Sequence, residues 1–277
     1  FKKYYTLSSP YIRFDENKYI NEALKSEWVS TSGKFIDLFA NELKKFTGSD
    51  YVIPCINGTS ALHLMLKSIG IEKNDEVIVP TISFIAPINA IRYMDANPVF
   101  MDCDEFHNID CEKVIEFVNS NTYFKSGSTY NKKTKRKIKA IIVVHVWGNA
   151  VNIYRLVNFL KKRNIILLED SSESLGTFYK KGNLKNKHTG TIGLAGCLSF
   201  NSNKLITTGG GGAILTNNKK IADYSSYLST QAKDDSIFFV HNDVGFNYRL
   251  PNINAALGYG QIKKLKKFLL IKKNITN

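Results

Sequence analysis

The sequence predicts an α/β domain built on a largely parallel, mixed central sheet flanked by helices. Three observations carry this reading. Short apolar runs alternate with helically patterned stretches from residue 51 onward. Two of the runs, 140–146 (AIIVVHV) and 165–168 (IILL), are apolar without alternation, as strands buried on both faces are. Polar and glycine-rich stretches follow several runs directly, where sheets of this kind hold their ligands.

The elements follow in order. Residues 1–50 are mostly helical in pattern, with an irregular break at 28–33 (WVSTSG). Residues 51–55 read as a short strand. Residues 59–69 (TSALHLMLKSI) place apolar side chains at 61, 62, 64, 65, 66 and 69, the mark of a buried helix. Residues 76–79 form a second strand closed by Pro80, residues 84–94 a helix, and residues 98–101 a strand. A helix spans 110–119 with Asp110 as its N-cap. Residues 125–139 read as a basic loop. After the strand at 140–146 come a helix near 152–163, the strand 165–168 ending in Glu169-Asp170, strands at 197–200 and 213–215, and a helix from near Pro251. There are no repeats and no Gly/Ser linker.

Composition excludes several classes. The 277 residues are 43% hydrophobic and 22% charged, which argues against disorder, collagen and coiled coil. No stretch approaches the roughly 18 apolar residues of a membrane helix, and residues 1–5 (FKKYY) lead into polar sequence rather than a signal peptide. Cys55, Cys103, Cys111 and Cys197 form no Cys-x-x-Cys pair and have no histidine at finger-like spacing. They are expected to be small buried hydrophobes of a reducing cytoplasm, not metal ligands. The net charge of +14 is concentrated. Residues 125–139 and 263–273 carry thirteen basic residues and no acid, and lysines outnumber arginines 32 to 6. A basic loop and a basic tail explain this better than a nucleic-acid groove, since arginine is the preferred reader of bases.

Four features stand at strand ends. Asn57-Gly58-Thr59-Ser60 opens a helix after the first strand. Free amides there, with a glycine permitting close approach, suit a phosphate, although a plain capped helix would look the same. Asp170 ends the most apolar strand, as a structural acid or as an acid of a site, and Glu173 is placed to face the same cleft. Lys204 lies between SFNSN (199–203) and four glycines (209–212), which form either a close-approach segment or a flexible loop. A lysine in a cleft can form a Schiff base with an aldehyde cofactor. Taken together, the set matches the needs of pyridoxal 5′-phosphate: a phosphate cradle, a lysine for the aldehyde, and an acid for the pyridine nitrogen. Phe84, after the second strand, stands where an aromatic ring would cover the cofactor.

The stretches 28–43 (WVSTSGKFIDLFANEL), 56–66 (INGTSALHLML), 75–91 (DEVIVPTISFIAPINAI), 167–177 (LLEDSSESLGT), 188–214 (HTGTIGLAGCLSFNSNKLITTGGGGAI) and 245–258 (GFNYRLPNINAALG) resemble the DegT/DnrJ/EryC1/StrS sugar aminotransferases, fold type I pyridoxal-phosphate enzymes. They span nearly the whole chain in the family's order. The resemblance implies that Lys204 carries the cofactor and moves the proton. Asp170 would pair with the pyridine nitrogen and Phe84 would stack on the ring. Gly58, Thr59 and Ser199 would hold the phosphate beside Ser60, and Glu173 would stand near the ring hydroxyl. Asn247 would reach the phosphate of a neighbouring subunit in a homodimer with shared sites. The lysine argues against the dehydratase offshoot, in which histidine replaces it.

The resemblance also sets the expected activity. It is transfer of an amino group, with glutamate as expected donor, to a keto carbon, C4, of a nucleotide-linked 6-deoxyhexose in the cytoplasm. The closest likeness is to 4-aminotransferases of the legionaminic and perosamine type, serving surface polysaccharide. The expected division is 1–50 as an N-terminal helical segment, 51–260 as the cofactor-binding large domain, and 261–277 as the start of a C-terminal domain largely absent here. A truncated, catalytically impaired paralogue is the alternative. Residues 179–187 (YKKGNLKNK) are longer and more basic than the family's usual turn.

Overall fold

The computed structural model describes residues 8–235 and 237–276; residues 1–5, read above for a leader, lie outside them. Helices α1 (Phe14–Lys25) and α2 (Lys34–Thr47) come first. Then follow β1 (Tyr51–Cys55), α3 (Gly58–Ser68), β2 (Glu76–Pro80), α4 (Ala86–Tyr93), β3 (Asn97–Met101) and α5 (Cys111–Asn121). A hairpin of β4 (Thr122–Lys125) and β5 (Ser128–Asn131) precedes β6 (Ile138–Val144), α6 (Tyr154–Lys162) and β7 (Ile166–Asp170). The chain continues through β8 (Ala195–Ser199), β9 (Gly212–Thr216), α7 (Lys219–Ser229), α8 (Asn252–Ile262) and α9 (Leu265–Thr276).

Seven strands form one sheet in the order β1-β9-β8-β7-β6-β2-β3. The strands from β8 to β3 are parallel, and β9 runs antiparallel to both its neighbours. The parallel part explains the unbroken apolar runs. Along β6, Ala140, Ile142 and Val144 face one core with α3, α4 and α7. Ile141 and Val143 face another with α5 and α6. A third core packs α2 and α8 against Leu198, Ala213 and Leu215 at the β8–β9 end. The Asp110 side chain caps α5, accepting from the amides of Glu112 and Lys113 at 3.0 and 3.1 Å.

Four expectations need correction. The basic segment 125–139 is not a loop. Much of it belongs to the β4–β5 hairpin, whose two-residue turn has Ser126 and Gly127 at φ +48° and +75°, the left-handed pair that tight hairpins require. Glu76 pins its far end, accepting from Asn131 at 2.9 Å and from Thr134 at 2.6 Å. The basic tail 263–273 is mostly helix α9, whose buried Leu265 and part-buried Leu269 join the third core. Helix α7 was not anticipated. Cys55 and Cys197 are buried, but Cys103 and Cys111 are only partly so. No helix among the described residues is long and apolar enough to cross a membrane.

Candidate active site

The carboxyl ends of β6, β7 and β8 and the start of α3 open on one cleft of about 550 Å³, a size that suits a small-molecule site. Gly58 and Thr59 line it at the first turn of α3, where helix geometry leaves amides without intrahelical acceptors. Ser60 differs. Its amide donates to the Asn57 side chain at 2.7 Å, which caps α3. The residue borders a separate depression with Tyr93 and Tyr248. Close approach explains the glycine: a Cβ on Gly58 would come within 3.1 Å of Ser199 Cβ and 3.4 Å of its hydroxyl. The helix start and the end of β8 thus form a polar cradle only a small residue permits.

Asp170 ends β7 at the floor of the cleft and is 5% exposed. Its Oδ1 accepts from the Ser172 amide at 3.0 Å and from the Cys197 thiol at 3.3 Å. Its Oδ2 has no hydrogen-bond partner among the described residues. Lys204 lies in the turn after β8, held by its amide's bond to the Asn201 carbonyl at 3.0 Å. Its Nζ lies 3.1 Å from Glu173 Oε1. The other oxygen of Glu173 accepts from the Trp147 amide at 2.9 Å. The glycine run is tied down, with the Phe200 amide donating to Gly211 at 2.8 Å and the Asn254 side chain donating to Thr208 at 2.7 Å.

The cleft therefore gathers Gly58, Thr59, Phe84, Asp170, Glu173, Ser199 and Lys204. Phe84 stands at its mouth, 79% exposed. Asn247 does not line this chain's cleft. It is exposed and pairs with Thr230 as an isolated bridge, in a segment that runs beside the end of β1.

A buried pair beside the cleft escaped the sequence reading; of the two, His145 lines the cleft and Glu169 lies behind it. His145 and Glu169 are wholly buried, with Nε2 and Oε2 3.0 Å apart. Glu169 also accepts from the amides of Gly190, Ile192 and Gly193 at 2.9, 2.7 and 2.7 Å. Burial opposes its charge, but the His145 side chain and these amides hold its carboxyl below the usual range. His145 Nδ1 accepts from the Val151 amide at 3.1 Å, bracketing the turn that carries Trp147 at φ +52°. The signal available was Glu-Asp at the end of a buried run: adjacent strand residues point to opposite faces, so only one of the two could reach the cleft.

The residues fit pyridoxal phosphate: a buried acid, an amine and a cradle of hydroxyls and helix-start amides all line the one cleft. A model of the DegT/DnrJ/EryC1/StrS aminotransferase family matches residues 10–277. GDP-perosamine synthase of Escherichia coli O157:H7 is 36% identical over 275 residues, covering 99% of this chain and 70% of its own length. A UDP-4-amino-4,6-dideoxy-N-acetyl-beta-L-altrosamine transaminase of Campylobacter jejuni is 33% identical over 260 residues, 93% of this chain and 64% of its own. The solved structure of Helicobacter pylori PseC, an aminotransferase involved in the biosynthesis of pseudoaminic acid, superposes with a TM-score of 0.83 at 29% identity, covering 96% of this chain and 67% of that one.

Proposed function

The chain belongs to the DegT/DnrJ/EryC1/StrS aminotransferase family, and from that premise we propose that it aminates C4 of a nucleotide-linked 4-keto-6-deoxyhexose, with glutamate as donor. Membership makes it a pyridoxal-phosphate-dependent nucleotide-sugar aminotransferase. The position aminated, the donor, a homodimer with shared sites and a role in surface polysaccharide are our reading, supported by the perosamine and altrosamine relatives.

The observation that carries the reading is that Lys204 and Asp170 line one cleft together with Gly58 and Thr59 at the start of α3. When bound, pyridoxal phosphate supplies an aldehyde that condenses with amines and a ring that withdraws electrons from the adjoining carbon. In our reading Lys204 Nζ holds the cofactor at rest and later takes and returns the proton of the substrate carbon. Asp170 Oδ2 accepts the ring N–H and keeps that proton in place. The Gly58 and Thr59 amides and the Ser199 hydroxyl bind the phosphate. Glu173 orients Lys204, and Phe84 covers the mouth and excludes water.

The test is turnover. The cofactor-loaded chain is incubated with glutamate and with GDP- or UDP-linked 4-keto-6-deoxyhexose, and the product is read by mass spectrometry. The reading expects a 4-amino sugar with one of the two. A cofactor-loaded chain that makes none from either would overturn it.

A further inference from the structure

The acid at the floor of the cleft has an unusual neighbour. Asp170, the last residue of β7, is the cross-strand partner of Cys197 in the middle of β8, and the ladder continues with the Ser171 amide donating to the Cys197 carbonyl at 2.9 Å. Direct partners in a parallel pair point to the same face, so the two side chains meet. Cys197 is wholly buried. Its Sγ lies 3.3 Å from Asp170 Oδ1 and 3.7 Å from the Ser172 hydroxyl.

Burial, then the neighbouring Asp170 charge, push the thiol well above its ordinary range, so it keeps its proton and has one to donate. Asp170 Oδ1 thus receives two donors from its own chain, the Ser172 amide and the Cys197 thiol. Its Oδ2 receives none among the described residues. A carboxylate is acceptor-only and can turn about its bond to Cβ. Two donors on one oxygen fix that rotation and leave the other aimed at the cleft.

We propose that Cys197 is the positioning residue of Asp170: its thiol, with the Ser172 amide, locks the carboxylate so that Oδ2 alone faces a ring N–H in the cleft. This rests on reading Asp170 as the partner of the cofactor's ring nitrogen. Without the thiol, Oδ1 keeps one donor, the carboxylate turns more freely, and the ring proton is held less firmly. An ordinary core cysteine would contribute packing alone.

The experiment loads the chain with pyridoxal phosphate labelled with ¹⁵N in its ring. It compares wild type, Asp170→Asn, Cys197→Ala and Cys197→Ser by the ring nitrogen's chemical shift and the cofactor's Kd. Asp170→Asn moves the signal to the unprotonated position. Cys197→Ala moves it part of the way and raises Kd about fivefold, the scale of one ordinary net hydrogen bond from a weak thiol donor. Cys197→Ser keeps a donor and stays near wild type. If Cys197→Ala does not fold, Cys197→Val, apolar and without a donor, takes its place with the same expectation. A wild-type shift and Kd in the donor-free variant overturn the inference, as does a serine variant that behaves like alanine. If Asp170→Asn itself leaves the shift unchanged, the reading of Asp170 fails, which is a different result.

Discussion

Glu173 Oε1 lies 3.1 Å from Lys204 Nζ, while Oε2 of the same carboxylate accepts from the Trp147 amide. Glu173 is thus held from one side and holds Lys204 from the other. An ion pair this exposed adds little stability, because solvent screens it. Its value lies in aiming the amine. Glu173→Ala should lower kcat about tenfold while the thermal midpoint stays within about 2 °C of wild type. A large fall in the midpoint would make the pair a fold contact instead.

Asp170 offers one open oxygen to the cleft. Asp170→Asn keeps the shape but loses the charge that favours a protonated ring. The variant should bind cofactor and lose about 10²-fold in kcat. Near-normal kcat in a cofactor-loaded Asp170→Asn protein would remove this acid from the mechanism.

Asn247 lies outside its own chain's cleft, as a residue serving a partner's site would. Mixing Asn247→Ala chains with Lys204→Ala chains places both lesions in one site of a heterodimer and none in the other. Each variant alone should be nearly inactive, and heterodimers should recover about half the wild-type activity. Heterodimers that form without recovery would return Asn247 to its own chain or to no site.

The fold was legible where one force dominated. The runs at β6 and β7 had to be doubly buried because they carry no alternation, and the structure buries them on both faces. The hairpin at 122–131 was hidden by the basic run that follows it at 132–137, although Tyr123 and Tyr130 stack across it at 5.5 Å and Ser-Gly marks its turn. Of the candidate site, Lys204, Asp170 and Gly58 drew notice because each stands at or just beyond the end of a strand. The buried His145–Glu169 pair could not, since its meaning depends on amides at 190–193 that only the folded chain brings near. The position of Asn247 relative to a site depends on a second chain, which one sequence does not locate.

His188 offers a test of stability against pH. Its Nε2 accepts from the Gly176 amide at 2.9 Å, and its other nitrogen contacts the Thr189 carbonyl. Burial pushes it down to about 4 from an ordinary 6.5. Between those values the unfolded chain binds a proton that the folded chain refuses. Its contribution is therefore full above about pH 6.5 and is lost as pH falls toward 4, by about 3 kcal/mol over the window. The lowered carboxyl of Glu169 acts in the same direction in its own, more acidic range. Urea midpoints should drop between pH 7 and pH 4.5, and His188→Gln, which keeps an acceptor for Gly176, should flatten that slope. A wild-type midpoint independent of pH there would contradict the buried neutral imidazole.

The central claim is that Lys204 holds the cofactor. It is tested most directly by reducing the cofactor-loaded chain with borohydride, digesting it, and locating the pyridoxyl group by mass spectrometry. One modified residue, Lys204, is expected, with no adduct in Lys204→Ala. An adduct on another lysine, or equal labelling of the Lys204→Ala chain, would contradict it.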